Sequence, residues 1–441
     1  KVNVQRGSFD YERYALSLAK TEGEYSQFLS GYHSYSDTYL ANEALDARQG
    51  QGSYRVVHQG EKTTTQVAFG YIEKDFGAYR FYVNSEAQSR ESTAQRHGYA
   101  THQYRLADGG KINASINWRN HFDEYKYAPG FAATNHESEA MQSRLAFAKG
   151  AFTAGFEYNQ EDMDSSRDGR QGRHFSSTFI NYKHALGANI SLTGNLSYFD
   201  YDSQDQYFLP VIGIDALISE NVEVYANAGQ SVRTPTLNDL YLNMSSNIGS
   251  ADLEVETTNS SEIGVRLNSS DVNISASIFY KDTQDAIDFT RTQAQKTANS
   301  AYVAKNYGHN ITKGFDVEFD ASAFAALRMG MSALKLTHTR LIQTIDTDFA
   351  ELKNTDGQLE NQTALHAGIG FKDYYSLQTI YKYESRFDSE DYEVLDLRLA
   401  YQDNHLTLAL AGTNLLDAKY VDAGFVEVAG PALMFELGYE L

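Results

Sequence analysis

Cysteine is missing from this chain of 441 residues, proline occurs 4 times and tryptophan once. Without cysteine there are no disulfides, a composition compatible with an oxidising envelope compartment that does not rely on them. Long apolar runs are missing too. No stretch approaches the ~20 residues a membrane helix needs, and an apolar share of 41% is too low for a helical membrane protein. Positive charge is short: 37 Lys and Arg stand against 58 Asp and Glu, a net charge of −21 that argues against nucleic acid as a partner. Catalytic signatures are equally scarce. Gly-x-Ser-x-Gly does not occur, the 12 His form no close-set zinc cluster, and no carboxylate or Ser/His pair stands out, so no enzyme is expected.

What the chain does have is alternation. In the last segment, Leu433, Phe435, Leu437, Tyr439 and Leu441 share one face, while Met434, Glu436, Gly438 and Glu440 share the other. Val272, Ile274, Ala276 and Ile278 oppose Asn273, Ser275 and Ser277; Ile190, Leu192, Leu196 and Tyr198 repeat the arrangement. This period of two marks strands with one greasy and one wet side. A membrane β-barrel hides its hydrophobicity on alternate residues, so a mean hydropathy of −0.50 does not exclude the bilayer. The 32 Tyr and 24 Phe suit aromatic girdles at the two interfaces, and Trp118 closes the alternating run from Lys111 at such a level.

Turn signals divide the chain into 22 segments: 1–9, 12–20, 24–35, 49–59, 63–73, 95–106, 111–122, 139–148, 151–160, 175–184, 189–200, 206–217, 222–232, 258–267, 272–287, 302–320, 327–341, 362–371, 376–387, 392–401, 406–416 and 431–441. An even count lets the last strand close against the first. The connections alternate in length: 21–23, 60–62, 108–110, 219–221, 268–271 and 403–405 are short. Those at 36–48, 74–94, 123–138, 233–257, 288–301, 342–361 and 417–430 are long. The predicted fold is therefore all-β: a transmembrane antiparallel β-barrel of about 22 strands, with short periplasmic turns and longer extracellular loops. It is expected to be a single domain over residues 1–441. In 327–341 the apolar residues change face, which a bulge would explain. A barrel this wide cannot be filled by its own side chains, so its bore needs a plug or stays an open channel.

Several ordered segments resemble the barrel of a TonB-dependent outer-membrane receptor. They are Ser231-Val232-Arg233-Thr234-Pro235-Thr236-Leu237-Asn238-Asp239-Leu240-Tyr241, then Lys305-Asn306-Tyr307-Gly308 with Lys313-Gly314-Phe315-Asp316-Val317-Glu318. Leu395 to Tyr401 and Asn414-Leu415-Leu416-Asp417 follow, and Asp75 to Tyr82 resembles a loop element of the cobalamin-receptor-like branch. The resemblance implies a Gram-negative outer membrane, with its lipid and lipopolysaccharide as neighbours. It also implies uptake of a ferric siderophore or cobalamin, less so haem, driven through a plug domain and the TonB complex. The plug and its partner-binding box are absent from these residues; a plug in cis or in trans is expected to complete the barrel. A plugless passive pore, or a surface receptor or scaffold for a phage, toxin or partner protein, stays open as an alternative.

Ligand-binding candidates are loop residues: Tyr125, Tyr127 and Phe131, whose rings could grip an apolar or aromatic ligand, and Tyr241 and Asn247 in the longest mid-chain loop. The competing reading of the three rings is girdle or loop packing. Asp200, Asp202 and Asp205 offer oxygens of the kind Ca²⁺ takes, and calcium organises ligand-binding loops in some relatives that the resemblance points to. A solvated acidic face is the competing reading. No other cofactor is expected.

Overall fold

The computed structural model describes residues 1–202, 206–329, 331–355 and 358–440. Its strands are β1 (Val2–Gly7), β2 (Tyr11–Glu22), β3 (Tyr25–Ser36), β4 (Ala47–Gln59), β5 (Thr63–Gly77), β6 (Arg90–Arg105), β7 (Lys111–Lys126) and β8 (Thr134–Lys149). Next come β9 (Phe152–Ser165), β10 (Gly169–Leu186), β11 (Ile190–Tyr201), β12 (Gln206–Ser219), β13 (Val222–Arg233), β14 (Asn247–Ile248), β15 (Glu256–Asn268) and β16 (Asn273–Arg291). The rest are β17 (Tyr302–Asp320), β18 (Met331–Asp346), β19 (Glu351–Leu352), β20 (Leu359–Phe371), β21 (Tyr375–Arg386), β22 (Tyr392–Gln402), β23 (Leu406–Thr413) and β24 (Ala432–Tyr439). Apart from the two-residue β14 and β19, these are 22 long strands; the helices among the described residues are short, α1 (Leu237–Tyr241), α2 (Gln293–Thr297) and α3 (Ser322–Met329). Each pairs antiparallel with its neighbours, and β1 pairs with both β2 and β24, so the sheet closes.

Closure is why so acidic and so mildly apolar a chain can live in hydrocarbon. An unpaired backbone N–H or C=O there costs several kcal/mol, and a closed ladder leaves no edge to carry one. The seam runs from Val2 opposite Tyr439 to Gly7 opposite Met434, and Asn3 Nδ2 donates to Glu436 Oε1 at 2.8 Å across it.

The outward face is the apolar one. Leu196, Phe208, Ile212, Ile278, Leu410 and Phe435 are all exposed on it, as lipid-facing side chains must be. The inward face is polar and largely neutralises itself: Arg144 pairs with Glu157 at 3.2 Å, Lys335 with Glu318 at 2.8 Å and Arg398 with Glu436 at 3.0 Å. Inward guanidinium groups also lie over rings, Arg13 on Tyr32 at 4.4 Å and Arg266 on Tyr225 at 3.9 Å. Buried apolar side chains cluster at Ala286, Tyr307 and Leu352 with Ile345 and Phe349, at the end of the barrel where β16, β17 and β18 meet the 347–358 connection, and others such as Met163, Leu209, Leu253 and Tyr392 are buried elsewhere.

Two sequence expectations need correction. The segment predicted as a strand from residue 327 begins as a helix, α3 (Ser322–Met329), and β18 starts at Met331. The change of face itself falls between Met331 and Leu334, inside β18, where the register shifts between Met331 and Ala333 as the expected bulge requires. Several predicted loops are also shorter than expected. The 74–94 loop shrinks to 78–89, 123–138 to 127–133, 288–301 to 292–301 and 342–361 to 347–358, because the strands run on past the membrane. Beyond the lipid the outward face has no reason to stay apolar, so alternation fades while the ladder continues.

Two substitutions test the assignment of faces. Leu196→Arg should cost about 2–4 kcal/mol, a cation placed on the lipid face near the bilayer midplane, whereas the inward Asn195→Arg should stay within about 1 kcal/mol. Denaturant titration in lipid vesicles would compare them, and equal losses would contradict the assignment.

Candidate functional site

Ten connections lie on the rim of the amino- and carboxy-terminal strand ends, most of them tight turns of two to five residues, whereas the other rim carries 37–46, 78–89, 234–255, 347–358 and 414–431. The second rim is the extracellular mouth by the usual rule for such barrels. Trp118 marks where lipid ends below it. The indole shares the outward face with Ile112 and Ile116, and its Nε1 donates to Glu139 Oε1 at 2.8 Å. Just above, Asn120 Nδ2 donates to Glu137 Oε1 at 2.8 Å, a polar pair on the outward face that hydrocarbon would not tolerate.

On the arc from β5 to β8 the mouth gathers rings. Tyr125 lies near the end of β7, on the same inward face as Asp123, and the rings of Tyr82 and Tyr125 meet edge to face at 5.3 Å. Phe81 packs against Tyr82 at 4.9 Å, and Tyr127 against Phe131 at 5.4 Å. Ser89 joins the two halves: its Oγ donates to the Tyr127 carbonyl at 2.8 Å and accepts from the Tyr125 hydroxyl at 3.2 Å. Phe81, Tyr82, Tyr127 and Phe131 all keep exposed ring surface, most of all Phe131 at 60%. The sequence candidates Tyr125, Tyr127 and Phe131 therefore do come together, but Tyr125 is a strand residue and not a loop residue.

Two carboxylates sit among these rings. Glu91 accepts a hydrogen bond from the Tyr82 hydroxyl and is buried. Burial pushes its carboxyl above the usual range, the Tyr82 bond pulls the other way, and the Asp123 charge adds to the rise. Burial also raises Asp123, against the opposing charges of His136, His121 and Arg167. Sequence reading missed Tyr82 and Glu91, which only the β5–β6 hairpin brings beside β7.

The loops of this arc are held by an ion cluster outside the wall. Arg90 donates to both oxygens of Asp46, at 2.8 and 3.0 Å, and pairs with Asp75, to which Ser92 also donates at 2.6 Å. The Arg90 bonds hold the Asp46 carboxyl below its ordinary value despite partial burial. Gly424, at φ +70°, lets the 414–431 loop lie against residues 80 and 81, where a Cβ would meet the Phe81 carbonyl oxygen at 2.5 Å. Tyr39 donates to the Glu427 carbonyl at 2.7 Å. Three loops thus border a pocket of about 850 Å³ lined by Tyr39, Leu40, Tyr79, Arg80, Phe425 and Glu427, among others.

On a separate arc the 234–255 connection is a folded strap. Arg233 forks onto Glu256 at 2.6 and 2.7 Å and reaches Asp239 at 3.2 Å. Thr236 and Asp239 form a capping box for the short helix α1 (Leu237–Tyr241). The far end is clamped by Asn306, whose Nδ2 donates to the carbonyls of Glu254 at 3.0 Å and Asp285 at 2.7 Å while its Oδ1 accepts from the Glu254 amide at 2.9 Å. Arg173 donates to the Pro235 carbonyl at 2.6 Å, pulling the strap toward β10. The motif residues singled out in the sequence are therefore fasteners of this strap.

Tyr241 ends α1 and is partly exposed, whereas Asn247 is buried and accepts from Lys353 Nζ at 3.0 Å. Asn247 belongs to the scaffold and is not brought together with the Tyr125 group. Asp200 accepts from Gln206 at 3.4 Å and Asp202 pairs with His174 at 3.2 Å; Asp205 lies outside the described residues. Among the described residues no three His, Cys, Asp or Glu gather as metal ligands.

A closed 22-stranded barrel with a polar bore, short turns on one rim and fastened loops on the other defines an outer-membrane β-barrel. Residues 5–415 match the family model "TonB dependent receptor-like, beta-barrel", and the chain belongs to that family, in the outer membrane of Gram-negative bacteria. Over 107 residues it is 31% identical to the vitamin B12 transporter BtuB of Vibrio vulnificus, an alignment covering 24% of this chain and 16% of that protein. Its fold is similar to the siderophore receptor PirA of Pseudomonas aeruginosa, with a TM-score of 0.77, 15% identity, and 99% and 79% of the two chains covered. The FrpB iron transporter (F3-3 variant) of Neisseria meningitidis gives 0.81 at 12% identity, covering 99% and 80%. The chain thus spans about four fifths of these structures and matches under a fifth of the B12 transporter's length.

Replacing Arg90 by Ala should release the 37–46 loop. Hydrogen exchange there should rise several-fold while barrel unfolding shifts by about 1 kcal/mol or less. The loop should loosen in acid as well. The Asp46 carboxyl has a depressed value in the folded protein, so its contribution is complete above the ordinary carboxylate pKa near ~4 and is lost as pH falls through the lower folded value. Protection of the 37–46 amides, taken relative to their intrinsic exchange rate, that does not fall between neutral pH and a pH well below the ordinary carboxylate value would contradict the role of this pair. Asn306→Ala should raise exchange across 234–255, leaving 37–46 unchanged.

Proposed function

We propose that this chain forms the barrel of an outer-membrane transporter for a scarce nutrient, a ferric siderophore or cobalamin, with haem a lesser option. One observation carries this reading: a closed ring of 22 long strands, a number too large for its own side chains to fill the bore, stands beneath a mouth furnished with exposed aromatic rings. Family membership and the similar fold of siderophore receptors support it. In this reading the rings at Tyr82, Tyr125, Tyr127 and Phe131 receive the ligand. A plug, in cis or in trans, occupies the bore and couples it to the TonB complex, while lipid and lipopolysaccharide surround the outer face.

Uptake in cells expressing the full-length gene product separates this from the alternatives. Radiolabelled ferric chelates and cobalamin should enter only energised cells, and a protonophore should abolish entry of the accepted one. Entry that survives the protonophore would instead support a passive pore. No entry of any nutrient, with retained binding of a phage or toxin, would support a surface receptor.

A further inference from the structure

The chain's negative charge is not spread evenly. The connections on the extracellular rim contain 20 Asp and Glu and 5 Lys and Arg, a net of −15 out of −21, whereas the periplasmic turns contain 7 and 3. The strands, whose inward charges pair with one another, are close to neutral. The acidity seen in the composition is therefore a property of the mouth.

Few cations offset it there. Arg167 pairs with Asp168 at 3.2 Å, Lys296 with Glu351 at 3.2 Å, Arg80 bonds Asn84, and Lys353 is turned onto Asn247. The fifth, Lys419, is exposed without an ion pair among the described residues, in a loop that also carries Asp417, Asp422 and Glu427. Several cations near the strand ends are also matched, Arg90 by Asp46 and Asp75, Arg173 by Glu161, and Arg233 by Glu256 and Asp239, whereas Arg170 is exposed with no ion pair among the described residues. By contrast Asp252, Asp388, Glu390, Asp417, Asp422 and Glu427 are exposed and form no ion pair among the described residues. Inside the rim, Glu91 and Asp123 stand beside Tyr82 and Tyr125, and neither carboxylate has a Lys or Arg ion-pair partner among the described residues. Aromatic faces attract cations and flat apolar groups alike.

We propose that the mouth selects its ligand by charge: it receives flat or apolar organic ligands and chelates that are neutral or cationic, on the ledge of Phe81, Tyr82, Tyr127 and Phe131, and repels polyanionic ones. The field of the rim acts over about 8–10 Å at ordinary ionic strength, enough to reach a ligand approaching the ledge. This narrows the cargo of the proposed transporter and, as a statement about cargo, rests on that reading.

Equilibrium dialysis of the purified protein in a neutral detergent, with methylene blue as a flat cation and pyranine as a polyanion, tests the selection without reference to transport. Methylene blue should bind saturably and weaken about tenfold from low to physiological salt, while pyranine should not bind. Asp417→Asn with Asp422→Asn, in the loop that packs on residues 80 and 81, should weaken methylene blue several-fold with thermal unfolding unchanged, whereas Asp388→Asn with Glu390→Gln, on a more distant arc of the rim, should weaken it less. Phe131→Ala should weaken the part that survives salt. Pyranine binding as tightly as methylene blue, or charge variants without effect, would overturn the proposal. Cells expressing the full-length protein supply the second arm, with a triply anionic ferric tris-catecholate and a ferric trihydroxamate bearing a free ammonium. Preferred uptake of the tris-catecholate would sink the charge selection and leave the transporter standing. Uptake of neither, with dye selectivity intact, would sink the transporter reading and leave the selection standing.

Discussion

Everything in this molecule follows from the need to pair every backbone N–H and C=O of a chain that crosses hydrocarbon without helices. Antiparallel pairing satisfies each strand from its two neighbours, and the seam between β1 and β24 satisfies the last two edges. Once the ladder closes, its two faces meet different solvents. Leu196 and Ile278 meet lipid while Asn195 and Ser277 meet the bore, so the hydrophobic material of the protein lies outside it. The small buried cluster around Tyr307 is one exception, and it sits where strands leave the membrane and loops begin.

The same ladder explains why the mouth can be built with such accuracy. Strands run past the lipid and carry Glu91, Asp123 and Tyr125 above Trp118 on a rigid frame. Loops are then pinned to that frame by charged and amide groups: Arg90 for 37–46, Arg233 and Asn306 for 234–255. Such fasteners are charge-assisted and geometrically demanding. They hold loops in position without the apolar core that a soluble domain would use. They also consume most of the cations in this region, and the unmatched carboxylates remain to set its field.

Much of this was legible in the chain. The 22 long strands correspond one to one with the 22 predicted segments, because in lipid the period of two is enforced at every step. Short and long connections separated the rims, although α3 shows that a periplasmic connection can hold a helix. Strand ends were not legible above the membrane, where polar residues such as Glu137 and Glu139 occupy the outward face and alternation no longer reports the ladder. The rings Tyr125, Tyr127 and Phe131 were found by residue type and sequence proximity; Tyr82 and Glu91 were not, since only hairpin register places them alongside.

By itself, the sequence determined the barrel, its strand number, its two faces and the kinship of its motifs, all of which depend on local period and turn chemistry. Tertiary structure alone decided the rest. It showed that Asn247 is a buried brace, that Arg233 and Asn306 are fasteners, and that the surplus negative charge belongs to one rim. Those properties depend on which distant residues share a rim, and only closure of the ladder fixes that.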